Sequence, residues 1–186
     1  MEEEYCVFLR GINVNGIKIK MDALKKAFQR MGFTNVKTIL ATGNVIVSMQ
    51  ESNSDRKALK LFIEKELDEY FGYDAHVILR SKNDVHGLCT AAQTMIVPEA
   101  YHQYCLLCDD RELSSELKRL FDRLPHTLDE SLQVTEYDAF WNVPIGFTLN
   151  SDFGSKVLGD KKYKNRLTSR NMNTIRKIDQ FLFVQA

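Results

Sequence analysis

Proline and glycine are scarce, at 3 and 9 of 186 residues, and no segment is of low complexity, which excludes wholesale disorder. Long apolar runs are missing too: crossing a bilayer takes about 20 apolar residues in a row, and no stretch approaches that. No membrane partner is therefore expected. The N-terminus, Met1-Glu2-Glu3-Glu4, is acidic where a secretory signal is basic, so a cytoplasmic protein is expected. Surplus charge is absent, with 25 Lys and Arg against 25 Asp and Glu. A neutral chain is poorly suited to tight duplex-DNA binding, where affinity rests on many phosphate contacts. His76, His86, His102 and His126 show no ligand spacing, so neither a metal nor a cofactor is expected. Cys105-Leu106-Leu107-Cys108 is formally a CxxC, but the second pair of a metal knuckle is missing. The segment reads as a strand, which sends thiols three residues apart to opposite faces. These two cysteines, with Cys6 and Cys89, read as reduced core thiols.

What is present is a distinctive opening. Leu9-Arg10-Gly11-Ile12-Asn13-Val14-Asn15-Gly16 follows the apolar run Tyr5 to Leu9 and precedes a helix near Met21. Glycine and asparagine accept left-handed dihedrals, so successive N–H groups of such a loop can converge on an anion. The same segment can also be a tight connection with no ligand. Charge is unevenly spread: residues 1–50 carry 7 basic against 4 acidic side chains (+3), residues 51–140 carry 10 against 18 (−8), and residues 141–186 carry 8 against 3 (+5). Basic ends around an acidic middle place an anionic ligand at the termini, unless these charges merely solvate helix faces.

The first 80 residues alternate in period. Strands are expected at Tyr5 to Arg10, Val36 to Ala41, Val45 to Met49 and Ala75 to Arg80. Helices are expected from Met21 to Met31 and after the Ser52-Asn53-Ser54 cluster up to Gly72. Thr42-Gly43-Asn44 is a hairpin signal. The order βαββαβ is the ferredoxin-like split unit, and it brings the Gly11–Gly16 loop, the hairpin and the turn before the fourth strand to one end of the sheet. Arg10, Lys18 and Lys20 supply positive charge there. Tyr5, Val7 and Leu9 line one face of the first strand and Cys6 and Phe8 the other, so a second layer, from the C-terminal half or a partner subunit, should cover that face. This argues against base stacking on an open sheet.

A helix over Ser81 to Ala92 and a connector to Ala100 lead into a second, less regular round. It has a strand over Tyr101 to Cys108, a helix capped by Asp109 or Asp110, a hairpin of Leu132 to Tyr137 with Phe140 to Val143, and a last helix opened by Ser169. The expected fold is α+β, with two ferredoxin-like βαββαβ-type halves packed together on mostly antiparallel sheets. Their boundaries are 1–80 for the first half, 81–100 for the helix and connector, and 101–186 for the second half. In the Ser169-Arg170-Asn171 cluster, a helix start and an arginine favour an anion by roughly 0.3–1 kcal/mol. The same residues can instead tie the halves together. Ser155 and Lys156 are a weak nucleophile–base pair. No P-loop, GxGxxG, GxSxG or HExxH motif is present.

Taken in order, Leu9-Arg10-Gly11-Ile12-Asn13-Val14-x-Gly16, Thr42-Gly43-Asn44-Val45, Ser155-Lys156 and Ser169-Arg170-Asn171 resemble the motifs of the Domain of Unknown Function 1697 family of bacterial proteins. The resemblance spans nearly the whole chain. It implies a bacterial cytosolic protein of ferredoxin-like halves, and it implies no activity. Thr42 replaces the family's usual serine, and Met172 stands where tryptophan is common. The residues expected to line a site are Arg10, Gly11, Asn13, Gly16, Gly43, Asn44, Lys156, Arg170 and Asn171. The partner expected for them is a phosphate-bearing small molecule or single-stranded nucleic acid. Two alternatives stand beside this: an interaction module without a ligand, and an enzyme on an anionic small molecule with Lys156 or Arg170 as electrophile.

Overall fold

The computed structural model describes residues 2–12, 18–50 and 55–184. By its contacts the chain divides into two compact units, Met1–Gly87 with Ile178–Ala186, and Leu88–Lys177. The first contains β1 (Glu2–Arg10), α1 (Met21–Arg30), β2 (Thr34–Ile39), β3 (Asn44–Gln50), α2 (Arg56–Phe71) and β4 (His76–Ser81). Its strands pair antiparallel in the order β2-β3-β1-β4, as the ferredoxin-like reading requires.

Local chemistry explains these elements. In α1, Leu24, Ala27 and Phe28 recur at helical spacing and are buried, and Gly32 at φ 93° ends the run. Helix α2 starts at Asp55, whose carboxylate accepts the Lys57 N–H at 3.2 Å. The Ser52-Asn53-Ser54 cluster, expected to provide that cap, lies outside the described residues. Gly72, left-handed at φ 64°, closes the helix with its N–H on the Asp68 carbonyl at 2.7 Å. After β4, Ser81 and Asp84 cap α3 (Lys82–Ala92) reciprocally: Ser81 Oγ accepts the Asp84 N–H at 3.1 Å and Asp84 Oδ2 accepts the Ser81 N–H at 2.8 Å.

The second unit repeats the plan. It runs β5 (Tyr101–Cys108), α4 (Arg111–Phe121), β6 (Ser131–Val134), β7 (Ala139–Pro144), α5 (Asp152–Val157) and β8 (Leu167–Asn171), followed by α6 (Met172–Val184). Its strand order, β6-β7-β5-β8, matches the first position for position. One expectation is corrected here. Ser169 does not open the last helix, because Leu167–Asn171 is an edge strand with Arg170 opposite Cys105 and Ser169 opposite Leu106. Backbone pairing to β5 outcompetes a local cap, and the cap moves to Asn171, whose Oδ1 accepts the Asn173 N–H at 2.9 Å.

Both faces of β1 are buried. Val7, Leu9, Val45, Val47, Val77 and Leu79 form one core with the apolar sides of α1 and α2. Cys6, Phe8, Ile46 and Ile78 point the other way and are equally buried. Burial of each large apolar side chain contributes about 1.5–3 kcal/mol. The last residues of α6 count with the first unit, and Phe181 and Leu182 share a hollow with Ile46 on that second face. The C-terminal segment thus supplies part of the cover on that face, at Ile46.

The hairpin turn between β2 and β3 is packed tightly. A Cβ at Gly43 (φ +75°) would lie 2.7 Å from Ile12 Cδ1 and 3.0 Å from Leu9 Cβ, whereas one at Gly11 (φ +74°) would meet open space. Gly11→Ala therefore costs only the left-handed backbone term, about 1 kcal/mol. Gly43→Ala adds overpacking and costs about 2–4 kcal/mol in urea unfolding. Equal losses at the two positions would contradict this packing.

Candidate functional site

In the first unit, three turns meet at one end of the sheet. Arg10 stands opposite His76 at the start of β4, Phe8 stands opposite Asn44 at the start of β3, and the Leu9 N–H donates to the Gly43 carbonyl at 2.7 Å. Helix α1 begins at this same end, since it runs back from the loop after β1. Its cap position is Lys20, whose side chain accepts nothing from the first turn. Among the described residues, the N–H groups of that turn and the positive dipole end therefore receive no side-chain cap from Lys20.

The individual residues divide by role. Arg10 is half-buried, and burial draws its guanidinium below the ordinary arginine value. Gly11 is exposed and left-handed, and Lys18 and Lys20 are exposed beside α1. Gly43 is required by the packing of Ile12 and Leu9 described above. Asn44 is fully buried, and its Nδ2 donates to the Ile39 carbonyl at 2.9 Å and to Thr42 Oγ1 at 3.0 Å, which shapes the hairpin. Asn13 and Gly16 lie outside the described residues. His76 sits between carboxylates, 3.1 Å from Asp74 and 3.9 Å from Glu64. Tyr73, in the turn before β4, buries its hydroxyl with no hydrogen-bond partner among the described residues. Burial, and then the Glu64 charge, push that phenol well above its ordinary value.

In the second unit, Arg170 is buried at 9% exposure, and one guanidinium nitrogen donates to Thr168 Oγ1 at 2.8 Å and to the Ser169 carbonyl at 2.9 Å. Arg80 occupies the same place in the first unit. It stands opposite Cys6 as Arg170 stands opposite Cys105, is buried at 6%, and donates to the Leu79 carbonyl at 2.8 Å. The sequence reading passed over Arg80. The signal was there in the repeated Tyr5-Cys6 and Tyr104-Cys105 pairs within β1 and β5 and the matching Arg80-Ser81 and Arg170-Asn171 ends of β4 and β8. One register position of both sheets thus carries a guanidinium bonded to its own strand.

Lys156 and Ser155 are exposed on α5, where the Ser155 hydroxyl donates to the Asp152 carbonyl at 3.2 Å. The Asp152 carboxylate is held below its ordinary range by the Thr127 N–H and hydroxyl, both at 2.7 Å. A carboxylate missed from the sequence, Glu130, has a fully buried side chain. It accepts Trp141 Nε1–H at 2.9 Å and the Phe153 N–H at 3.4 Å, and His126 Nδ1 lies 3.2 Å away. These partners tie α5 to β7. Among the described residues there is no group of three or more His, Cys, Asp and Glu able to hold a metal, and no helix is long and apolar enough to cross a membrane.

Residues 2–140 match the family model described as a protein of unknown function, DUF1697. The chain belongs to this family. Among solved structures it is similar to the conserved bacterial protein SP0830 from Streptococcus pneumoniae, at 20% identity and a TM-score of 0.77, with 98% of this chain and 99% of that one covered. That likeness supports the fold alone. No curated protein matches the chain.

The role given to Arg170 is directly measurable because Trp141 is the chain's single tryptophan and is fully buried in the second unit. Arg170→Ala strands its buried partners and should lower second-unit stability by about 1–3 kcal/mol, read from Trp141 fluorescence in urea. An unchanged midpoint would show that the guanidinium does not support the sheet.

Proposed function

We propose that this protein binds a phosphate-bearing ligand, a nucleotide or a short single-stranded nucleic acid, at the Arg10–Gly11 end of the first unit. One observation carries the reading, at the end of the sheet where β1 leads into α1. There a helix whose cap position Lys20 gives no side-chain hydrogen bond among the described residues follows a half-buried arginine and a left-handed glycine. Backbone N–H groups and the dipole end favour a phosphate oxygen. A guanidinium that has already lost part of its hydration adds paired, charge-assisted hydrogen bonds at reduced desolvation cost. The buried Tyr73 hydroxyl, which lacks a partner among the described residues, offers one more donor at this end. Gly43 and Asn44 act indirectly, by fixing the hairpin that forms one wall.

Calorimetric titration with nucleoside mono- and triphosphates and a short oligonucleotide tests the reading. The wild type should bind at least one probe, with affinity that weakens as salt rises. Arg10→Ala should weaken that binding about tenfold or more, the worth of a charge-assisted bond. Negligible or equal binding by both proteins would reject this function.

A second reading rests on the other unit. Residues 139–151 carry no Lys, Arg, Asp or Glu, and within them Ile145, Phe147 and Leu149 are 52%, 44% and 67% exposed. Clustered exposed apolar side chains mark protein contacts, and this loop fits an interaction module.

A further inference from the structure

The first unit holds a second polar hollow, set apart from the Arg10 end. It has a volume of about 200 Å³ and is lined by Glu4, Asn35, Lys37, Ile46, Lys82 and Phe181, with Leu182 beside them. Glu4 lies six residues before Arg10 on β1, roughly 20 Å away at about 3.4 Å per residue. Ile46 and Leu182 are almost fully buried and make an apolar floor. Two ammonium groups are held in place around it. Lys37 Nζ lies 4.6 Å from the centre of the Phe181 ring, and Lys82 Nζ lies 4.6 Å from that of Phe183 and 2.9 Å from Glu4 Oε2.

The second unit shows which of these features the fold itself needs. Tyr5 pairs with Ser81 as Tyr104 pairs with Asn171, so Glu4 corresponds to Gln103 and Lys82 to Met172. Lys37 pairs with Ile46 as Gln133 pairs with Phe140, two strand partners of Cys6 and Cys105, so Lys37 corresponds to Gln133. All three charges of the hollow are thus neutral in the other copy of the same topology. The backbone differs as well. Strand β2 shifts register against β3 between Thr34 and Lys37, and Asn35 within that bulge is left-handed at φ 50°, whereas β6 pairs with β7 without a shift. A bulge re-aims side chains locally and is a recurrent feature beside binding sites. Charge and bulge together are additions to the fold rather than requirements of it.

We propose that this hollow binds a small organic anion, one carboxylate or phosphate group on a short apolar body. The ammonium groups of Lys37 and Lys82 would hold the charged end and Ile46 and Leu182 the apolar end. Glu4 positions Lys82 and lowers the local positive field. The volume falls short of the roughly 300–1,000 Å³ of sites for drug-sized ligands, which selects a metabolite-sized acid over a dinucleotide.

The second unit also supplies the substitutions for the test, because Gln at position 37 and Met at position 82 are the residues its sheet accepts. Calorimetry with phenyl phosphate and with benzoate should detect binding of at least one by the wild type, the stronger probe identifying the headgroup. Lys37→Gln and Lys82→Met should each weaken it about tenfold or more with unchanged melting temperature. Glu4→Gln should tighten it, and Arg10→Ala should leave it as in the wild type, which separates this site from the one proposed above. No binding of either probe, or equal binding by the lysine variants, would overturn the proposal.

Discussion

A central strand that is apolar on both faces cannot be left half wet, and this constraint organises each unit of the protein. In β1 and in β5, alternate residues supply one face to the paired helices, while cysteine and a large apolar residue point the other way and are buried as well. A ferredoxin-like unit provides helices for one face only. Residues from the last helix lie against the second face of the first sheet, through Phe181 and Leu182 beside Ile46. On the second sheet, Gln103 bonds Met95 and Arg176, and Asn142 bonds the Ile96 carbonyl. The buried arginines belong to the same solution. Each sits opposite a cysteine and spends hydrogen bonds on its own strand, which offsets the cost of placing a guanidinium in an apolar layer.

Because the topology is built twice, each unit serves as a control for the other. Shared features, such as the Arg80 and Arg170 positions and the caps at Ser81 and Asn171, answer to the fold. Features found in one unit only are free to answer to something else. In the first unit these are the Glu4, Lys37 and Lys82 charges and the Asn35 bulge. In the second they are the buried Glu130 with its Trp141 and Phe153 donors, and the apolar loop after β7. The arginine of the family's Ser-Arg-Asn motif has a counterpart in the other sheet, while the opening loop motif places an exposed, left-handed glycine beside a half-buried arginine.

Much of this was legible in the residues. The βαββαβ order of the first half follows from the stripe Leu24, Ala27 and Phe28, the β-branched runs of β2 and β3, and the stops at Gly32 and Gly72. The two-faced burial of β1 followed from Cys6 and Phe8 alternating with Val7 and Leu9. Strand β8 was hidden because Leu167-Thr168-Ser169-Arg170-Asn171 is short and polar, so a cap-like Ser169 outweighed a pairing that depends on β5, far away in sequence. Gly43 was legible as part of a hairpin signal and was expected to line a site, yet what it packs against is the side chain of Ile12, a contact no local pattern encodes. The lysine hollow was invisible for a related reason: Glu4, Lys37, Lys82 and Phe181 are brought together only by strand register and by the last turns of α6.

The central claim is that anion recognition belongs to the first unit, while the Ser169–Asn171 arginine of the second is structural. Backbone amide chemical shifts during titration with a nucleoside monophosphate test it most directly. The account predicts movement at Arg10, Gly11 and the first turn of α1, with Thr168 to Asn171 unmoved. The largest shifts falling at Arg170 and Asn171 would contradict it.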